Sequence, residues 1–230
     1  MSKYEVLNKN THANIRLNNT EAYSFASVHH LVSVVLHEFV KVSVNYPIVF
    51  VKSGDQGKFH PMALLGLEPG KNLFINESGD WRPGYYIPAA FRRYPFALTD
   101  NGQGEMAICI DAESKKINWN DGELFIDADG EITPSMAKIS DFLQELMNSE
   151  SMASNFCEKL VALNLLSPCD FKVRGPDGEK VYGGSYIIDE NKLSSLDDEN
   201  FLSLRQMGYL GPIYAHLASL MKIDDFSALV

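Results

Sequence analysis

The chain has 230 residues, 45% of them hydrophobic and 22% charged, with a formal net charge of -10 and a pI near 5.0. That length buries a substantial core, and the composition excludes a disordered or low-complexity chain. The negative charge repels phosphate backbones and anionic lipid, and the one dense basic spot, Arg92–Arg93 with Arg82 nearby, is too small for duplex binding. Nucleic acid is therefore not an expected partner.

Cys109, Cys157 and Cys169 form no CxxC or CxxH pair and leave one thiol over in any disulfide scheme, which fits a reducing compartment. The start, "MSKYEVLNKNTHANIRL", lacks the apolar core of a secretory signal, and no apolar run reaches membrane-spanning length. The expectation is a cytoplasmic protein without membrane insertion, folded as a single domain over residues 1–230. The tail "KIDDFSALV" places acidic residues before a small apolar end, as some uncleaved C-terminal export signals do, but reads first as a frayed terminal helix.

In chain order, residues 23–44 are rich in β-branched residues, with Val35, Phe39 and Val42 at helical spacing, and predict a strand followed by a short helix. "YPIVFVK" predicts a buried strand closed by the turn "SGDQGK". "FHPMALLGLE" and "LFIN", separated by "PGKN", predict two more strands, and "ESGD" a reversal before "WRPGYYIP". "EMAICIDAE" and "GELFIDADGE" continue the β-rich meander.

At Thr133-Pro134 the pattern changes to a helical stripe of Met136, Ile139, Leu143, Leu146 and Met147, and a second helix is predicted over 152–165, stopped by Pro168. "DFKVRGPDGEKVYGGSYIID" predicts a hairpin with a Pro-Asp-Gly turn, its double glycine marking a bulge or a close backbone approach. Two further helices are predicted around 197–207 and 212–222. The fold class is α+β: a meander of short antiparallel strands in the N-terminal and central parts, then helices mainly in the C-terminal third with one inserted hairpin.

The stretches "YPIVFVKSG", "MALLGLEPGKNLF", "WRPGYYIPAAFRRYPFAL", "CID", "GELFIDADGEITP" and "GYLGPIYAHLASL" together resemble the SapC family of bacterial proteins, in the same order from about Tyr23 to Leu220. The family's name derives from a gene associated with a crystalline surface layer, and the resemblance implies no agreed activity, catalytic residue or cofactor. The similarly named peptide-transporter permease is a different protein, because it needs several membrane-spanning helices.

Short catalytic motifs do not appear. Of the six histidines, His29 and His30 are adjacent and point apart on either a strand or a helix, and there is no HExxH or paired Cys/His signature, so no metal is expected. There is no GxSxG elbow, and Cys109 reads as a small buried filler. "GDQGKF" and "GYLGPIY" match no phosphate-binding loop, and "NWNDGELFIDADGE" does not match a calcium loop, so no cofactor is expected.

The segment "WRPGYYIPAAFRRYPF" is the candidate ligand-binding site. Trp81, Tyr85 and Tyr86, with Phe91, Tyr94 and Phe96, supply rigid surfaces with polar tips. Arg82, Arg92 and Arg93 supply planar forks that hold carboxylate or phosphate or stack on rings, and the prolines stiffen the loops. The same residues also suit a folded-back core tied by arginines to carbonyls or to Glu68 or Asp80. If "AAFRR" is a helical turn, Arg92 and Arg93 diverge by about 100°, so that one serves the fold and the other faces a ligand. His60, in a neighbouring strand, joins the candidate set.

The functional expectation is a non-enzymatic accessory or binding protein that recognises a protein, peptide or carbohydrate partner. The alternatives are an enzyme of a class without a short motif, using His60 or a tyrosine beside the arginines, and a surface-layer structural protein.

Overall fold

The computed structural model describes residues 4–18, 23–54, 57–100, 104, 106–127, 130–175 and 178–228. In chain order its elements are β1 (Tyr4–Val6), α1 (Lys9–His12), β2 (Arg16–Leu17), β3 (Leu31–Ser33), α2 (Phe39–Ser43), β4 (Ile48–Ser53), β5 (Lys58–Leu64), α3 (Ala89–Arg92), β6 (Phe96–Asp100), β7 (Met106–Asp111), β8 (Ile117–Asn118), β9 (Glu123–Leu124), α4 (Pro134–Ala162), β10 (Leu166–Gly175), β11 (Gly178–Ile188), α5 (Glu190–Ser194), α6 (Asp198–Gln206) and α7 (Leu210–Ser219). The class is α+β, with antiparallel sheets and helices mostly in the C-terminal part.

The chain divides into two compact units, one of Met1–Ala22 with Ala90–Asn148, the other of Tyr23–Ala89 with Ser149–Val230. The first contains two three-stranded antiparallel sheets, β1-β7-β6 and β8-β2-β9. Its core is Ile15, Phe96, Ile110, Phe125, Met136 and Leu143, all buried. β7 reaches this core because its second half, Cys109 to Asp111, is buried, and the Phe96 and Phe125 rings meet edge to face at 5.2 Å.

The second unit is built on a five-stranded antiparallel sheet of order β10-β11-β4-β5-β3. The unbroken apolar run at the start of β4 puts Ile48, Val49 and Phe50 fully out of solvent, as a strand covered on both faces requires. Around Phe156 of α4 cluster Phe39 of α2 at 5.9 Å, Phe50 at 6.3 Å and Tyr209 at 5.0 Å. Helix α7 is fixed to the sheet by polar contacts: Ser219 Oγ accepts from the Ile48 amide at 2.9 Å and donates to the His216 carbonyl at 2.6 Å.

Three local differences from the sequence reading stand out. The two helices expected on either side of residue 148 are one, α4, of 29 residues, because "NSES" between them contains neither glycine nor proline and so weakens a helix without breaking it. It ends at Ala162, before Pro168, and Asn164 just beyond it, with a φ of 53°, turns the chain as the Leu165 amide closes on the Leu160 carbonyl. "LFIN" forms no strand but a single bridge, Ile75 to Trp81. The double glycine does form a bulge: register shifts between Cys169 and Phe171, opposite Gly183 and Gly184, although Pro176 and Asp177 of the expected turn lie outside the described residues.

Candidate functional site

The aromatic end of segment 81–93 lies in the second unit, and it is tied down by polar contacts. Trp81 is buried; its indole Nε1 donates to the Tyr46 hydroxyl at 3.2 Å, which in turn donates to the Tyr86 carbonyl at 2.7 Å. Burial raises the Tyr46 phenol above its ordinary pKa, so it stays a neutral donor. Tyr85, half-buried, packs on Phe74 at 4.9 Å. The Tyr86 hydroxyl donates to Glu38 Oε2 at 3.0 Å.

Glu38 is the anchor of this arrangement. It is 1% exposed, and its carboxylate also accepts from the Val35 amide at 3.1 Å and the Ala89 amide at 2.9 Å. Three donors on one buried carboxylate are what makes its burial tolerable. Arg82 is half-buried beside this network, its amide bonded to the Phe74 carbonyl.

The arginine end lies in the first unit. Helix α3 ends at Arg92, and the two guanidinium groups differ in surroundings. Arg92 is exposed, with its Cζ 5.2 Å from the Phe142 ring. Arg93 is half-buried in a polar corner with Tyr4, Asp111 and Tyr94. There the Tyr94 hydroxyl donates to Asp111 Oδ2 at 3.0 Å. Burial and Asp111 raise the Tyr4 phenol's pKa, which Arg93 partly offsets. His60, on β5, is exposed, with its Nε2 3.1 Å from the Ser53 hydroxyl. The arrangement thus places Trp81, Arg82, Tyr85, Tyr86 and His60 in one unit and Arg92 and Arg93 in the other.

A concavity exists elsewhere in the second unit. A cavity of about 280 Å³ is lined by Leu31 of β3, Leu64 of β5 and the loop residues Gly66, Leu67 and Pro69, and across from them by Phe171, Val181, Tyr182, Gly183 and Ser185 of the β10–β11 hairpin, with His30 at its margin. Leu31 pairs directly with Leu64, and Phe171 with Tyr182, so each wall is a same-face cross-strand pair. β3 and β10 are the two edges of the sheet. For both edges to line one cavity the sheet must curl, as twisted sheets do.

The walls are held by backbone contacts. The His30 carbonyl accepts from both the Leu65 and Gly66 amides, at 2.8 and 3.1 Å. Asn72 donates its side-chain amide to the Ala26 carbonyl at 3.1 Å and accepts from the Phe74 amide at 2.9 Å. A Cβ at Gly66 would run into the Lys71 carbonyl, which is why glycine stands there. The His30 imidazole is held below its ordinary pKa, first by burial and then by neighbouring His29, and is neutral near pH 7.

A second cavity, about 250 Å³, lies among Lys58, Phe59, Ser154, Cys157, Glu158 and Val161. Burial pushes the Cys157 thiol up to about 12, which leaves it protonated and without nucleophilic character. Among the described residues no three His, Cys, Asp or Glu side chains gather as a metal site.

Two residues that the sequence reading passed over stand out. His216 is fully buried against Phe50, ring centroids 5.0 Å apart; its Nε2 accepts from the Ile188 amide at 3.0 Å, which places the neutral ring's proton on Nδ1. Burial lowers its pKa to about 3, with the Ile48 backbone opposing weakly, and Nδ1 meets no hydrogen-bond partner. Trp119 is 60% exposed on a turn braced by Asn118, whose Oδ1 accepts from the Asn120 and Asp121 amides. The Trp-Asn-Asp run was the available signal for this turn.

The chain belongs to the SapC family, whose model matches residues 7–226. No curated protein matches it, and no solved structure does. No helix among the described residues is long and apolar enough to cross a membrane.

Proposed function

We propose that this chain is a non-enzymatic binding protein and that its ligand occupies the concavity of about 280 Å³ lined by residues of both edge strands of the five-stranded sheet. One observation carries the reading: a concave, mostly apolar space with a few polar side chains at its wall is the form that small-molecule sites take. The second cavity is the weaker candidate, because it abuts the β4–β5 turn and is bordered by an oppositely charged pair, Lys58 and Glu158.

The test is a thermal-shift screen of metabolite-sized compounds against the wild type and Leu31→Phe, which adds a ring at the cavity wall. Ligands that bind the folded state raise the melting temperature by mass action. Compounds that stabilise the wild type lose that effect in the filled variant. Stabilisation of equal size in both proteins overturns the proposal.

Segment 81–93 keeps a second place in this reading. The exposed Arg92, a planar cation lying over Phe142, is its candidate for contact with a carboxylate on a protein or peptide partner. Exposed His60 stands as a surface contact of the same kind, and a carbohydrate is the remaining partner class. Arg92→Ala lowers affinity for such a partner at least tenfold, while Arg92→Lys keeps the charge and loses the fork geometry. Unchanged binding by both variants removes Arg92 from the account.

A further inference from the structure

We infer that the cavity selects an uncharged ligand of one or two rings or a short chain, bearing a hydroxyl, carbonyl or amide group. The inference rests on the binding reading above and names the ligand class for that same site.

Size comes first. About 280 Å³ lies just below the roughly 300–1,000 Å³ typical of ligand pockets and is nearly twice the roughly 150 Å³ that holds one benzene ring, so the space suits a ligand of one or two rings and is small for a dinucleotide cofactor.

Charge comes second. No Lys, Arg, Asp or Glu side chain lines the cavity; the Asp170 carboxylate, behind Gly183, opposes an anion. An ion transferred there would give up its hydration without a countercharge, the costliest kind of burial. His30 is the one titratable candidate for a countercharge at near-neutral pH, and its surroundings hold it neutral. The chain's net charge of -10 further disfavours anions.

Polarity comes third. His30, Tyr182 and Ser185 border the space, and each both donates and accepts in its neutral form. Leu31, Leu64, Leu67 and Phe171 form the apolar remainder. A ligand with an apolar body and one hydrogen-bonding head matches the division, whereas a bare hydrocarbon would leave the polar side chains without an added partner. Tyr182 and Phe171 face each other across the hairpin, which puts an aromatic pair where a flat ring can stack.

The experiment is a matched series of three probes with the same ring and a different head: benzyl alcohol, benzoate and benzylammonium. Each is titrated into the full-length protein at pH 7.4 and followed by amide nitrogen–proton correlation spectra. Benzyl alcohol shifts the amides of residues 64–67 and 181–185, and binds at least tenfold more tightly than either ion. Tyr182→Phe keeps the ring and removes one polar head, and weakens benzyl alcohol about fivefold. Ser185→Phe fills the space and abolishes the shifts; if it fails to fold, Leu31→Phe serves the same purpose. An ion that binds as tightly as the alcohol, through the same amides, overturns the ligand class and leaves the site standing. If none of the probes moves those amides, site and class fall together.

Discussion

Trp81 carries more apolar surface than any residue lining the cavity, yet its ring is enclosed and its indole N–H is committed to Tyr46. Leu31, Leu64, Phe171 and Tyr182 are less conspicuous side chains, yet about 280 Å³ remains between the walls they form. Both regions belong to the same compact unit and lie within the residues that the SapC family model matches. The difference is in what their polar groups do. In the aromatic segment the hydroxyl, indole and carboxylate groups bond one another inward around Glu38, whereas His30, Tyr182 and Ser185 border open space. Recognition surface counts only where packing leaves it accessible.

From that contrast, damage to the segment affects stability and damage to the cavity affects binding. The largest expected effect is that of Glu38→Ala. It strands the Val35 and Ala89 amides and the Tyr86 hydroxyl, and each stranded buried donor costs about 1–3 kcal/mol. Urea unfolding should show a loss of several kcal/mol, with Glu38→Gln, which keeps an acceptor, losing clearly less. A Glu38→Ala protein of wild-type stability contradicts the anchoring role.

Trp81→Ala is next, at about 3–5 kcal/mol for a large aromatic removed from a core. Trp119 supplies its control in the other unit: Trp119→Ala should change stability by no more than about 0.5 kcal/mol, as exposed positions do. Because the two tryptophans report separately on the two units, single-tryptophan variants also ask whether both melt together. One domain over the full chain requires coincident transitions.

His216 is expected to cost less and to show itself through pH. In the folded protein its pKa is lowered to about 3, whereas unfolded histidine titrates near 6.5. Between those values the unfolded chain binds the extra proton, so the stabilisation is complete above about pH 6.5 and is lost as pH falls towards 3. His216→Leu strands the Ile188 amide, at about 1–3 kcal/mol near pH 7, but removes this contribution to acid sensitivity. Urea midpoints at pH 7, 5 and 4 measure both effects. A variant with the same acid slope as the wild type contradicts the assignment.

The smallest expected effect is that of Arg92→Ala on stability, below about 1 kcal/mol for an exposed cation over a ring. A much larger loss would place Arg92 with Glu38 among the residues that hold the fold.

What was legible from residues alone follows the range of the interactions. The buried strand at 48–53, the bulge at the double glycine and the α+β order rest on local periodicity and turn chemistry, and they were readable. The helical turn expected at "AAFRR" is present but ends at Arg92, one residue before Arg93. The cavity was not readable, because its walls join residue 31 to residue 171 through the order of a sheet. Nor was Glu38: a glutamate beside apolar residues reads as the solvent side of a helix until distant amides at Ala89 and Tyr86's hydroxyl are seen to meet it. Composition marked Trp81 and its neighbours as capable of recognition, but whether a ring faces a ligand depends on contacts such as Tyr46 to Trp81, 35 residues apart.

The central claim is that the small-molecule ligand binds in the curled sheet and not at the arginine end of the segment, which is left for a macromolecular partner. The most direct measurement takes one compound that stabilises the wild type and compares its affinity for Ser185→Phe and Arg92→Ala, each first shown to be folded. Ser185→Phe is expected to lose binding, while Arg92→Ala retains it within twofold. Retention by Ser185→Phe together with loss in Arg92→Ala would contradict it.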